Sequence, residues 1–112
     1  MFLGVIIKET LTDELFLDNL IIEKVEVCKT NDNEIKYWTL IFFKSETADL
    51  PQLLSEAIID GWFADMKQGD IKYIIFRHCV YYYTIGNEVE KNQVLCELKK
   101  RGIPDEQFNW EE

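Results

Sequence analysis

The chain has 112 residues, 47% of them hydrophobic and 13% aromatic, and a formal net charge of -9. That length and apolar content fit a single domain over residues 1–112, and they exclude a disordered chain or one that needs disulfides to hold its core. The acidic balance also lacks the basic face that phosphate backbones require, so nucleic acid is not an expected partner.

Phe2 to Lys8 alternates β-forming residues and reads as the first strand. "LTDELFLDNL" (11–20) then predicts a short helix capped by Thr12, with Leu15, Phe16 and Leu20 turned to the core. Strand two follows from Ile21 to Thr30, with Val25 and Val27 on one face. "NDNE" (31–34) is a turn, since Asn and Asp tolerate left-handed backbone. "KYWTLIFFK" (36–44) is strand three. Trp38, Leu40 and Phe42 line one face, and Tyr37, Ile41 and Phe43 the other, as in a central strand with cover on both sides.

The helical period is clearest in "ETADLPQLLSEAIIDG" (46–61), where Leu50, Leu53, Leu54, Ala57 and Ile58 recur at i, i+3, i+4, i+7 and i+8. Asp49 or Thr47 can cap this helix, Pro51 fits its first turn, and Gly61 is placed to stop it. "WFADM" (62–66) is strand four and "KQGD" (67–70) a turn. Ile71–Phe76 and Val80–Ile85 form a hairpin whose bend holds Arg77, His78 and Cys79. A last helix runs from Glu88 to Arg101 on an imperfect apolar face of Val94, Leu95 and Leu98. Its basic end complements the helix C-terminus. "GIPDEQFNW" carries Ile103, Phe108 and Trp110, which favours a tail packed back onto the domain.

This order predicts an α+β fold: a ferredoxin-like βαββαβ core, whose mainly antiparallel sheet carries its helices on one face, with an added β-hairpin and a C-terminal helix that extend or flank it. The cysteines at 28, 79 and 96 are odd in number and form no CxxC, so a reducing, cytoplasmic setting is expected. "MFLGVIIKET" lacks a signal peptide's basic start, and no run reaches the length of a membrane span.

"LPQLLSEAIIDGWFAD" (50–65), "KYIIFRHCVYYY" (72–83) and "GIPDEQFNW" (102–110) resemble a small bacterial family of uncharacterised proteins. Its members carry a Gly-Trp-Tyr-Ala-Asp-like strand, a Phe-x-Gly-Lys-Val-Phe-like hairpin turn and a Gly-Ile-Pro-Glu-Glu-Gln-Leu-Asp-Trp ending. The resemblance covers the C-terminal half and implies no activity. Where the family turn has Gly and Lys, this chain has His78 and Cys79.

Four groups of residues are candidate sites. His78 and Cys79 could form a thiolate–imidazolium pair, but strand neighbours point to opposite faces, and one histidine with scattered cysteines makes no zinc set. A turn followed by a strand is the preferred reading. Tyr81, Tyr82 and Tyr83 form a possible interaction surface, divided by alternation between two faces. Asp60, Asp65 and Asp70 could supply acid–base or cation chemistry, though each also fits a structural place. Trp62, Asp65 and Trp110 outline a possible small-ligand pocket.

No catalytic residues, cofactor or metal are assigned, because no nucleophile–base set, phosphate loop or ligand cluster is visible. The expected function is a non-catalytic interaction module that binds another protein or a second copy of itself. The alternatives are a small enzyme or ligand-binding protein using a pocket near Trp62 and Asp65, where an enzyme would need Asp65 or Cys79 in a cleft, and an acidic mimic of nucleic acid.

Overall fold

In a computed structural model the structure describes residues 1–31 and 36–112. Residues 32–34 of the expected "NDNE" turn lie outside the described residues. The strands are β1 (Phe2–Ile7), β2 (Ile21–Lys29), β3 (Tyr37–Ser45), β4 (Phe63–Gln68), β5 (Ile71–Phe76) and β6 (Cys79–Thr84). Two α-helices, α1 (Leu50–Ala57) and α2 (Glu88–Lys100), complete a mixed α+β fold. The strands form one sheet in the order β2-β3-β1-β4-β5-β6, with every neighbouring pair antiparallel. Among the described residues no helix is long and apolar enough to cross a membrane.

Each side of the sheet has its own core. Phe2, Ile6, Ile41, Phe43, Met66 and Ile75 pack against Leu50, Leu54 and Ala57 of α1. On the other side Ile74, Phe76 and Tyr83 meet Val94 and Leu98 of α2, with Ile103, Phe108 and Trp110 of the tail. Ile74 and Ile75 are strand neighbours, so their side chains leave opposite faces. The helical segments of the expected core, Glu14–Asn19 and α1, share one side of the sheet, and the added helix α2 covers the other, so α1 and α2 sandwich the sheet. The "KYIIF" run is apolar on both faces of β5, which is what allows a helix on each side.

The expected helix over 11–20 is corrected. Glu14–Asn19 forms a 3-10 helix, capped by the Asp13 carboxylate, which accepts from the Leu15 N–H at 2.9 Å. Thr12 is engaged elsewhere. Its N–H and hydroxyl both donate to the Ala57 carbonyl, and Leu11 bridges Ile58 in antiparallel fashion. With Thr12 held there, Asp13 takes the capping role instead. Phe16 is buried and Leu20 packs against the first core, whereas Leu15 is exposed. The same pairing ends α1 at Ala57 rather than at Gly61, because Ile58 takes an extended conformation. The β4–β5 turn is tighter than "KQGD" predicts, since Lys67 and Gln68 remain in strand register with Lys72 and Ile71.

Gly4 lies where β1 is closest to its neighbours. A Cβ there would fall 2.9 Å from the Met66 Cβ and 3.0 Å from the Asp65 carbonyl oxygen. Any side chain would push β1 from β4 at the centre of the first core.

Candidate functional site

A polar network is built around Lys72 on the α2 side of the sheet. Its side chain leaves β5 on the same face as Ile74 and Phe76, and the residue is only 3% exposed. The ammonium donates to the Asp65 carboxylate on β4 at 2.5 Å and to the Glu111 carbonyl at 2.5 Å. Tyr83 stands directly opposite Lys72 on β6 and is 1% exposed. Its hydroxyl donates to the Glu112 carboxylate at 2.8 Å and accepts from the Trp110 indole N–H at 2.9 Å. Lys91 of α2 holds the other Glu112 oxygen at 2.9 Å, and Lys67 donates to the Glu112 main-chain oxygen. Residues 110–112 thus sit over a short row of cations, tied at each residue.

Electrostatics follow from this packing. The Lys91 ammonium first, then the Tyr83 hydroxyl, hold the Glu112 carboxyl below its ordinary pKa, although partial burial opposes them. Burial raises the Tyr83 phenol far above its ordinary value. The Trp110 donor works against that rise, and the neighbouring Glu112 charge adds to it. Tyr83 is therefore a neutral donor here. Among the described residues, no buried side-chain nitrogen or oxygen lacks a partner. A site whose polar atoms are all engaged internally holds a shape, and any ligand would first have to displace the tail.

The expected pocket residues are divided. Asp65 and Trp110 join the same network through Lys72 and Tyr83, and the Trp110 ring meets Phe63 edge-on at 6.3 Å. Trp62 instead packs edge-on against Trp38 at 5.0 Å. It borders an open recess of about 440 Å³ with Ile7, Phe63, Gln107 and Asn109. Lys72, Tyr83 and Glu112 were not among the residues singled out by sequence as polar partners. Alternation in "IKYIIF" carries the signal for Lys72, since it falls on the apolar face.

Other candidates also separate. His78 is exposed and its Nδ1 lies 3.2 Å from Glu56. Cys79 belongs to β6, pairs with Phe76 and packs into the second core. His78 has φ 61°, the one positive φ of a non-glycine residue among those described. Asp60 accepts from the Gly61 N–H, Asp65 binds Lys72, and the Asp70 carbonyl accepts from Ile85. Among the described residues, no three His, Cys, Asp or Glu side chains converge as a metal site.

The tyrosine run is divided between the two faces of β6, as alternation requires. Tyr83 is in the core. Tyr81 accepts from Arg101 Nε at 2.9 Å while the Arg101 guanidinium lies over the Phe76 and Tyr81 rings. Only Tyr82, 67% exposed, faces solvent fully. Arg101 is thus an anchor between α2 and β6 rather than simply a helix-end charge.

Further exposed apolar side chains lie at the opposite edge of the sheet. Ile21, Ile22, Val25 and Val27 of β2 and Tyr37 of β3 are all exposed. β2 pairs only with β3 among the described residues, so its outer backbone groups are open. Register shifts between Ile22 and Lys24, placing a bulge at Glu23. No protein-family model, curated protein or solved structure matches this chain at significant similarity.

Proposed function

We propose that this protein is a non-catalytic interaction module that docks another polypeptide on the β2 edge. One observation carries the reading: four aliphatic side chains are exposed along an edge strand with one open side. Edge strands recruit other chains through main-chain hydrogen bonds, and their side chains supply selectivity. Large exposed apolar residues at such an edge favour a protein partner over a small ligand. A cytoplasmic setting is part of the proposal, supported by three free cysteines.

The test compares captured partners for the wild-type chain and a Val25→Lys/Val27→Lys variant, with circular dichroism as the folding control. Loss of specific partners is expected. An unchanged partner set on a folded variant would refute the reading.

A ferredoxin-like assignment belongs to the same proposal. Strands β4-β1-β3-β2 have the antiparallel order of a split βαβ core, with the 3-10 segment in the place of the first helix. Cross-strand NOEs from Gly4 to both Phe43 and Met66 are expected, and their absence would remove the assignment. Membership of the resembling bacterial family is supported by His78, which takes a left-handed conformation where that family has glycine.

A further inference from the structure

We infer that the occupant of the β2 edge is a second copy of the same chain, paired antiparallel about a two-fold axis at Val25. This rests on the edge-docking reading above and names its partner. In a two-fold antiparallel pair, residues equally far from the axis stand opposite each other and share a face. With Val25 on the axis, Lys24 faces Glu26 of the partner subunit, and Glu26 faces Lys24 of the partner subunit. Lys24 is exposed and Glu26 half-exposed, and within one chain they already form an ion pair at 2.6 Å. Dimerisation converts that pair into a ring of four alternating charges on one face of a continuous sheet. On the other face the two Val25 side chains meet.

Neighbouring registers are less suited. An axis at Glu26 sets two carboxylates against each other, and an axis at Lys24 sets two ammonium groups together. An axis at Val27 leaves Glu26 opposite Cys28, with no directly opposed unlike pair. Like charges directly opposite are unfavourable, and unlike ones favourable. Charge patterning thus selects the Val25 register. The bulge at Glu23 lies just outside the Lys24–Glu26 pairs and shortens the regular ladder. The interface is therefore small, and interfaces below about 1,200 Å² are typically weak and transient.

Sedimentation velocity over a concentration series tests this with wild type, Lys24→Glu, Glu26→Lys and an equimolar mixture of the two variants. Wild type is expected to show a reversible dimer. Each single reversal places like charges opposite at two points and weakens association about tenfold or more. The mixture restores it, because every opposed pair becomes unlike again in the heterodimer. A mixture no tighter than either variant alone overturns the proposal.

A second measurement does not depend on those reversals folding. With Cys28 and Cys96 replaced by serine, Val25→Cys should oxidise to a covalent dimer, since opposed Cα atoms are about 4.5–5.5 Å apart. Val27→Cys should not, because the two copies of that position are four residues out of register. Efficient cross-linking at 27 but not at 25 overturns the register. A strictly monomeric wild type overturns self-pairing. It leaves the edge-docking reading to the Val25/Val27 capture comparison, so the two failures are separable.

Discussion

The β5–β6 hairpin offers a sharp test of backbone strain. Phe76 pairs with Cys79, leaving Arg77 and His78 as a two-residue turn, and His78 has φ 61°. Left-handed backbone costs an ordinary L-residue about 1–2 kcal/mol, whereas glycine adopts it freely. Against this, glycine loses about 0.5–1 kcal/mol more chain entropy on folding. Replacing His78 by Gly should thus stabilise the fold relative to His78→Ala by about 0.5–1 kcal/mol. Relative to wild type the gain is smaller, a few tenths of a kcal/mol, because histidine tolerates this region better than alanine does. Lost contacts do not offset the gain. His78 and Glu56 are both well exposed, so their ion pair contributes little. The His78 N–H bond to the Ser55 carbonyl at 2.9 Å is main-chain and survives every substitution. Urea unfolding followed by tryptophan fluorescence measures the order, expected as Gly above His above Ala. A His78→Ala variant as stable as His78→Gly would refute the argument from backbone strain.

Gly4→Ala should destabilise by about 1–3 kcal/mol through overpacking against Met66 and the Asp65 carbonyl, and an unchanged urea midpoint would contradict the close approach. Lys72→Ala leaves Asp65 and the Glu111 carbonyl without their donor, at a cost of about 3 kcal/mol. Lys72→Met keeps the aliphatic volume and should lose less, so equal losses would show that charge pairing and not packing sets the whole cost. Glu112 has a lowered folded pKa, so its contribution is fully present above its unfolded pKa of about 4.3 and fades as pH falls through the folded value. Trp110 should therefore become more exposed to fluorescence quenchers below about pH 4, and Glu112→Gln should flatten that pH dependence. A wild-type profile identical to the variant's would count against the Lys91–Glu112–Tyr83 anchor.

Residue pattern alone carried much of this outcome. Six strands and two α-helices stand close to where periodicity placed them, since alternation and the 3.6-residue repeat are local properties of the chain. The tail's return to the domain was also legible, because Ile103, Phe108 and Trp110 cannot all remain wet at low cost. The imperfect face of α2 was a true signal too: Val94 and Leu98 are buried while Val89 and Cys96 stay exposed. Residues 11–20 depart from their local pattern for a non-local reason. Their sequence suits a capped helix, but Leu11 and Thr12 are claimed by Ala57 and Ile58, some 45 positions away, which no local window can register.

Site chemistry divides in the same way. That Lys72 falls on an apolar face is written in "IKYIIF". That Asp65, the Glu111 carbonyl and Tyr83 converge on that face required β4, β6 and the tail to meet around β5. Which tyrosine is buried was likewise undetermined by "YYY", since alternation separates Tyr82 from Tyr81 and Tyr83 without saying which face α2 will cover. The elements, their apolar faces and the acidic balance depend on composition and near neighbours, so residue order is enough to set them. The two-sided sheet, the tail bound over Lys72 and the edge at β2 arise only on folding, because each depends on which distant backbone groups find partners.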